Sequence, residues 1–568
     1  MMLTSVENAR TLALRRERKA IRGDSTTLKM DDLSWPKLPS RDHRRSSIGH
    51  ISDLFKFQRD YVDIIPKPWT VISISLSDSR QELSITKLQA GHSPFVLRLP
   101  LGRHNSMDAD EEVFGFEQGH AELLEIIEMA NESAHDAVGK TGREAKTAWW
   151  EEREGLDLRL RDLLENIEKV WLGGFTGIFS QHARRPELLA RFQKSFQNIL
   201  DRHLPSRRKS GRKVAGPKIT LDSRILELFI GLGDASDEQC DFSEPLTDLL
   251  YFVVDVLQFH GELNAYAEID FDSIVIEMQD ALRGYYLAIH ASGQVDEGRH
   301  TILILDKTLH SFPWESLPCM DGLAVSRLPS LGCLRDRILT QQKDAIADDT
   351  SEGHYISRSN ASYILNPGSD LKHTQSVFQK PLQSLNLSSS ITNRAPSEEE
   401  FKETLESKDL LLYFGHGSGA QYIRAREIKR LDKCAVTVLM GCSSGALVER
   451  GEFEPYGTPI NYMHAGCPAL VATLWDVTDK DIDRFAMRAF EEWGLFEGVS
   501  AGTSASGSTG RKGKGKERKV DSRERSASVV GKGSVSLVEA VAKARGACHL
   551  RYLNAAAVCV YGVPVYFK

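Results

Sequence analysis

Six short runs in the second half of the chain are almost wholly apolar: TILILD (301–306), SYIL (362–365), LLLYF (410–414), AVTVLM (435–440), ALVATLW (469–475) and AAVCVYG (556–562). Runs this short, without polar alternation, suit strands buried on both faces. That double burial is the mark of a mainly parallel sheet covered by helices on each side. Helix signals fall between the runs. Ser397 and Glu400 make a capping box before FKETLES, Thr458-Pro459 opens a helix that Gly466 closes, and Thr478 with Asp481 forms a second box before IDRFAMRAFEEW. The expected fold is α/β, a doubly wound sheet with helices on both faces.

The 568 residues exceed what one hydrophobic core organises. Upstream, WTVISISLS, ELSITKL and PFVLRLPL read as three strands of one sheet from about residue 68. From about 106 to 290 the apolar spacing turns helical, as in FEQGHAELLEIIEMANESA and GLDLRLRDLLENIEKVWL, with a basic loop, HLPSRRKSGRKVAGPK, at 203–218. The expected organisation is a basic, largely disordered arm (1–50), a first domain (51–300) carrying that helical insert, and a second domain (301–568). The Gly/Ser/Lys/Arg segment at about 497–535 interrupts the second domain as a disordered insertion.

Composition excludes several classes. A formal net charge of −7 is too mild and of the wrong sign for a whole-molecule nucleic-acid binder, which leaves only non-specific DNA contact through the basic tails. No run approaches the 18 apolar residues of a membrane span, and residues 1–30 lack a signal-peptide core. Eight scattered cysteines, with no CxxC or HExxH, fit a reducing cytosol or nucleus and predict neither metal nor cofactor. GRKGKGKE (510–517) almost spells a phosphate loop, but Glu517 replaces the hydroxyl residue and no strand precedes it.

Two of the strand runs end in notable turns. LLLYF runs into GHGSG, which sets His416 between glycines, and AVTVLM runs into GCSSG, which exposes Cys442. Ligands gather beyond the carboxyl ends of such strands, and the return from one turn to the other is long enough for neighbouring strands. A thiol needs a nearby imidazole or amide dipoles to act as a nucleophile at neutral pH. The N–H groups of Gly417 and Cys442 are the natural oxyanion donors. The plainer alternative is a core cysteine and a loop histidine that never meet. Among the rival histidines His310, His354, His373 and His464, only His464 lies near Cys442 in sequence, and its place within a helix suits packing. After ALVATLW, the segment WDVTDKDID offers Asp476, Asp479 and Asp483, with Asp479 and Asp483 one helical turn apart. Carboxylates here suit an arginine in the substrate pocket, with Trp475 as its wall. They also suit a helix start, and Trp475 equally suits the core.

HGSG, GCSSG and LWDVTDKDID in this order resemble the caspase-like cysteine peptidases, and among them the separase family. WESLPCMDGLAVSRLPS (314–330), YILNPGSDL (363–371) and GTPINYMHAGCPALVATLWDVTDKD (457–481) carry the same resemblance, which spans about 300–495 and 537–568. It implies a caspase-like catalytic domain behind a substrate-binding, pseudo-protease-like domain, together forming the C-terminal protease part of a longer protein. It also implies His416 and Cys442 as the catalytic dyad, and cleavage after Arg of the kleisin subunit of cohesin, with an acidic residue three positions earlier in the substrate. Securin is the implied inhibitor, acting as a pseudosubstrate in cytoplasm and nucleus. The alternatives are another caspase-like or CHAT-type peptidase and a non-catalytic pseudo-protease scaffold.

Overall fold

The computed structural model describes residues 54–103, 114–136, 142–182, 184–207, 218–237, 240–293, 299–344, 353–387, 389–451, 453–496 and 535–568. The basic arm at 1–50, the insertion at 497–535 up to its last residue and most of the basic loop at 203–218 lie outside these residues.

The first three strands are β1 (Trp69–Leu76), β2 (Glu82–Leu88) and β3 (Phe95–Pro100). After the helices come β4 (His300–Leu305), β5 (Val325–Arg327), β6 (His354–Ile356), β7 (Ala361–Leu365), β8 (Ile391–Thr392), β9 (Leu410–Phe414) and β10 (Val436–Leu439). The last five are β11 (Leu447–Arg450), β12 (Phe453–Gly457), β13 (Ala469–Thr473), β14 (Val558–Gly562) and β15 (Val565–Phe567). Eleven of them form one sheet in the order β3-β2-β1-β4-β5-β14-β13-β10-β9-β7-β8. The expected upstream strands therefore do not stand apart, because β1 pairs in parallel with β4 and the sheet runs continuously across residue 300.

Apart from its β3-β2 end, where β2 runs antiparallel to both neighbours, the sheet is two parallel blocks of opposite direction. β1, β4, β5 and β14 run one way, whereas β13, β10, β9, β7 and β8 run the other. They meet at the antiparallel pair β13/β14, which matches Ala469 to Gly562. At Gly562 (φ +130°) a Cβ would stand 2.1 Å from Pro468 O, so only glycine lets the two halves join this closely.

Alternation within β9 shows why the apolar runs lack polar positions. Leu410, Leu412 and Phe414 enter one core, while Leu411 and Tyr413 enter the other. Five long helices fill the interval between β3 and β4: Phe116–Asp136, Arg143–Asn166, Pro186–His203, Ser243–Phe259 and Phe271–Ser292. Their apolar stripes join the first of these cores. The capping box at Ser397/Glu400 forms as expected. The one expected at Thr478/Asp481 does not. Thr478 makes no side-chain cap bond, its Oγ1 accepting from Asn554 Nδ2 instead, and the Asp481 carboxylate turns inward to accept from the N–H groups of His549 and Leu550 and from Asn554 Nδ2.

Candidate active site

Four adjoining parallel strands, β13, β10, β9 and β7, present their carboxyl ends along one edge, and each is followed by a loop bearing a polar group. Leu439 of β10 pairs with Tyr413 of β9. Cys442 and His416 each follow three residues later, at equivalent places in neighbouring loops. Gly441 explains how closely these loops approach: a Cβ there would lie 2.1 Å from Gly417 O and 2.4 Å from Gly415 O. Gly441→Ala should force the loops apart, destabilising the fold by about 1–3 kcal/mol. It should also lower peptide cleavage by about a hundredfold through misplacement of the reacting groups. Thermal unfolding and steady-state rates read the two effects separately.

The turn after β10 is held from several sides. Ser443 sits at φ +51° and donates its N–H to Trp475 O, and Gly445 N–H donates to Thr473 O. Thr473 Oγ1 donates to Gly441 O at 2.8 Å, and Ser444 Oγ donates to Leu439 O. Cys442 is therefore held on a rigid turn, partly buried, with its thiol donating to Val477 O at 3.4 Å. Burial, followed by the carboxylates of Asp476 and Asp479, raises the thiol pKa above its usual value. The N–H groups of Gly417 and Cys442 donate to no other residue among the described ones, which leaves both available to a substrate oxygen.

His416 has a partner that the motif reading missed. Its Nε2 lies 2.7 Å from Asp370 Oδ2, in the loop after β7, and both side chains are exposed. Burial is the largest single influence on Asp370 and raises its pKa, but the hydrogen bond and charge of His416, with backbone N–H groups, together outweigh it and the net shift is downward. The loop is preset for this role. Asn366 and Ser369 adopt positive φ, and Asn366 Oδ1 accepts from Leu371 N–H. The signal was present in YILNPGSDL, a strand ending in turn residues and a carboxylate, but no spacing rule ties Asp370 to a histidine 46 residues away.

The aspartates after β13 part company. Asp476 accepts from Ser443 Oγ at 2.6 Å. Asp483, whose side chain is 4% exposed, accepts from Thr374 Oγ1 and pairs with His373 Nδ1 at 3.1 Å. Burial pushes it up to about 6 despite both bonds. Asp479 makes no hydrogen bond or ion pair to another side chain among the described residues, and it is solvent-exposed. Crowding by protein raises its pKa, while His416 and then His373 pull the other way. It also acts on the Cys442 thiol, so its charge reaches both members of the expected dyad. Trp475 does not wall a pocket. It is 1% exposed, with its indole N–H donated to Leu553 O, and it supports the turn from beneath. His464 is buried at the end of the helix Thr458–His464, and Cys434 and Cys467 are core residues.

Comparison with known proteins gives the family and the fold. Residues 78–482 match the family described as "Separin, protease domain". The chain is 51% identical over 563 residues to the separin of Emericella nidulans, covering 99% of this chain and 25% of that protein. It is 44% identical to the separin of Schizosaccharomyces pombe, over 91% of this chain and 26% of the relative. It therefore spans about a quarter of the length of these relatives. Among solved structures, the Saccharomyces cerevisiae separase–securin complex superimposes with a TM-score of 0.78 at 31% identity, over 100% of this chain and 34% of that one. With its mostly parallel sheet, its covering helices and these matches, the chain belongs to the separin protease-domain family.

Proposed function

We propose that this chain is the proteolytic part of a separase-type cysteine endopeptidase, with Cys442 as nucleophile and His416 as its acid–base partner. The observation that carries this reading is the convergence of Cys442, the His416–Asp370 pair and Asp479 on the loops after four adjoining parallel strands. Cys442 passes its thiol proton to His416 as Sγ attacks the scissile carbonyl carbon, and the resulting oxyanion takes hydrogen bonds from Gly417 N–H and Cys442 N–H. Asp370 occupies His416 Nε2, which leaves Nδ1 as the nitrogen that exchanges protons with the reacting groups. It protonates the departing amine and, in the second half-reaction, accepts a proton from the water that releases the acyl group.

Asp479 takes the arginine side chain of the residue preceding the cut, since its carboxylate is exposed and not spent on another side chain. Arginine binding then does more than hold the substrate. A guanidinium beside Asp479 cancels part of the field that keeps the Cys442 thiol protonated, which favours the thiolate when a correct substrate is bound. By the family relationship, the substrate is the kleisin subunit of cohesin, cut in cytoplasm or nucleus to release sister chromatids. Securin is the inhibitor, lying in the same groove as a pseudosubstrate.

The test is covalent capture with a kleisin-derived peptide acyloxymethyl ketone that ends in arginine and carries Glu three residues before it. Stoichiometric labelling of Cys442, with at least tenfold preference over the alanine-ended reagent, is the expected result. Labelling of another cysteine, or equal labelling by both reagents, overturns the assignment.

A further inference from the structure

A buried cation within electrostatic reach of Cys442 comes from the helical segment rather than from the sheet. Arg153, in the helix Arg143–Asn166, is 0% exposed. Its Nη1 donates to Ala130 O at 3.1 Å and its Nη2 to Asn554 Oδ1 at 3.4 Å, while the guanidinium lies over the Trp149 ring. Nε is buried without a partner. No carboxylate lies within ion-pair distance of it among the described residues.

A buried guanidinium without an ion-pair partner is costly, and a purely structural arginine would ordinarily be paired. The nearby acids are spent elsewhere. Asp157 Oδ1 accepts from the N–H groups of Tyr552 and Leu553. Asp481 accepts from His549, Leu550, Asn554 and Arg484. Arginine keeps its proton even when buried, so a fixed positive charge remains, and the charges it senses are those of Glu152, Asp481, Cys442 and Asp157.

The hydrogen bonds around Arg153 lead to the nucleophile. Asn554, which accepts from Arg153, donates to Thr478 Oγ1 at 3.0 Å and to Asp481 Oδ2. Thr478 adjoins Val477, whose carbonyl receives the Cys442 thiol. Asn131, next to the Ala130 carbonyl that Arg153 grips, accepts Asp476 N–H at 3.0 Å. The helical segment thus holds the 476–478 turn through Asn131 directly and through Arg153 by way of Asn554.

We propose that Arg153 is a positioning residue of the peptidase site: it fixes the 476–478 turn behind Cys442 and sets a permanent positive field there, favouring the thiolate against Asp476 and Asp479. The inference rests on Cys442 being the nucleophile. It gives the helices between β3 and β4 a part in the chemistry, since the cation behind the thiol is theirs. The charged or titratable groups facing Cys442 are then Asp476 and Asp479 after β13, His416 after β9 and Arg153 from the helices.

The pH dependence of Cys442 carboxamidomethylation by iodoacetamide, followed by mass spectrometry in the full chain, tests this without requiring cleavage. In Arg153→Met the midpoint should rise by about one pH unit, making labelling about tenfold slower at pH 7. Arg153→Lys, which keeps the charge but not the planar fork, should stay within about 0.3 unit of wild type. A folded Arg153→Met protein with an unshifted midpoint overturns the proposal. So does an Arg153→Lys midpoint shifted by a full unit, and that arm decides alone if the methionine variant does not fold. Failure of the nucleophile assignment shows up separately, as cleavage surviving in Cys442→Ser while the Arg153-dependent midpoint still moves.

Discussion

Cys442→Ser should lower cleavage of an arginine-containing kleisin peptide by about 10⁴-fold or more while leaving the thermal unfolding midpoint close to wild type. The first half of this expectation follows from chemistry: a serine hydroxyl is far less acidic than a thiol, so the anionic nucleophile that this site forms from Cys442 is not formed from serine. Losing the nucleophile of a concerted site removes most of its rate. The second half follows from packing. Cys442 is only partly buried, and its turn is held by Ser443, Ser444, Gly445 and Thr473 rather than by its own side chain. Full activity in the serine variant would mean that another group attacks the carbonyl.

Asp479→Asn should move two readouts in opposite directions. Cleavage after arginine should fall by about two to three orders of magnitude, the cost of removing one partner of a desolvated charge pair. Labelling of Cys442 by neutral iodoacetamide should instead become a few times faster at neutral pH. Asp479 is one of the charges holding the thiol pKa up, so its loss lowers that pKa and raises the thiolate fraction. A structural lesion would depress both readouts together, and so would overturn the assignment. Asp483→Asn is the comparison. Asp483 is already bonded to His373 and Thr374, and its substitution should cost less in substrate recognition. A larger loss there than at Asp479 would transfer the pocket role to Asp483.

Much of this site is legible along the chain because each loop announces itself locally. A buried strand that ends in glycine, a functional residue and another small residue is a pattern within ten positions, and both GHGSG and GCSSG satisfy it. The capping box at Ser397/Glu400 is legible for the same reason, being a contact between residues three apart. Asp481 shows where local reasoning stops. It stands at a cap position, yet three partners at 549, 550 and 554 outbid the helix terminus for its oxygens. Trp475 is the same lesson for an aromatic residue: only the packing of Leu553 over it decides between cleft wall and core.

The three upstream strands, the six apolar runs that become β4, β7, β9, β10, β13 and β14, and the two residues raised at the ends of β9 and β10 are legible along the chain, since strand burial and tight turns are written in patterns of a few residues. The tertiary structure alone decided that the sheet reverses at β13/β14, that Asp370 holds His416, that Asp479 remains unspent among the acids after β13, and that Arg153 lies behind the thiol. Each of these depends on which oxygens, amides and charges meet across dozens or hundreds of residues. Hydrogen bonding and electrostatics act through space, so no local pattern records which partner a polar group will find.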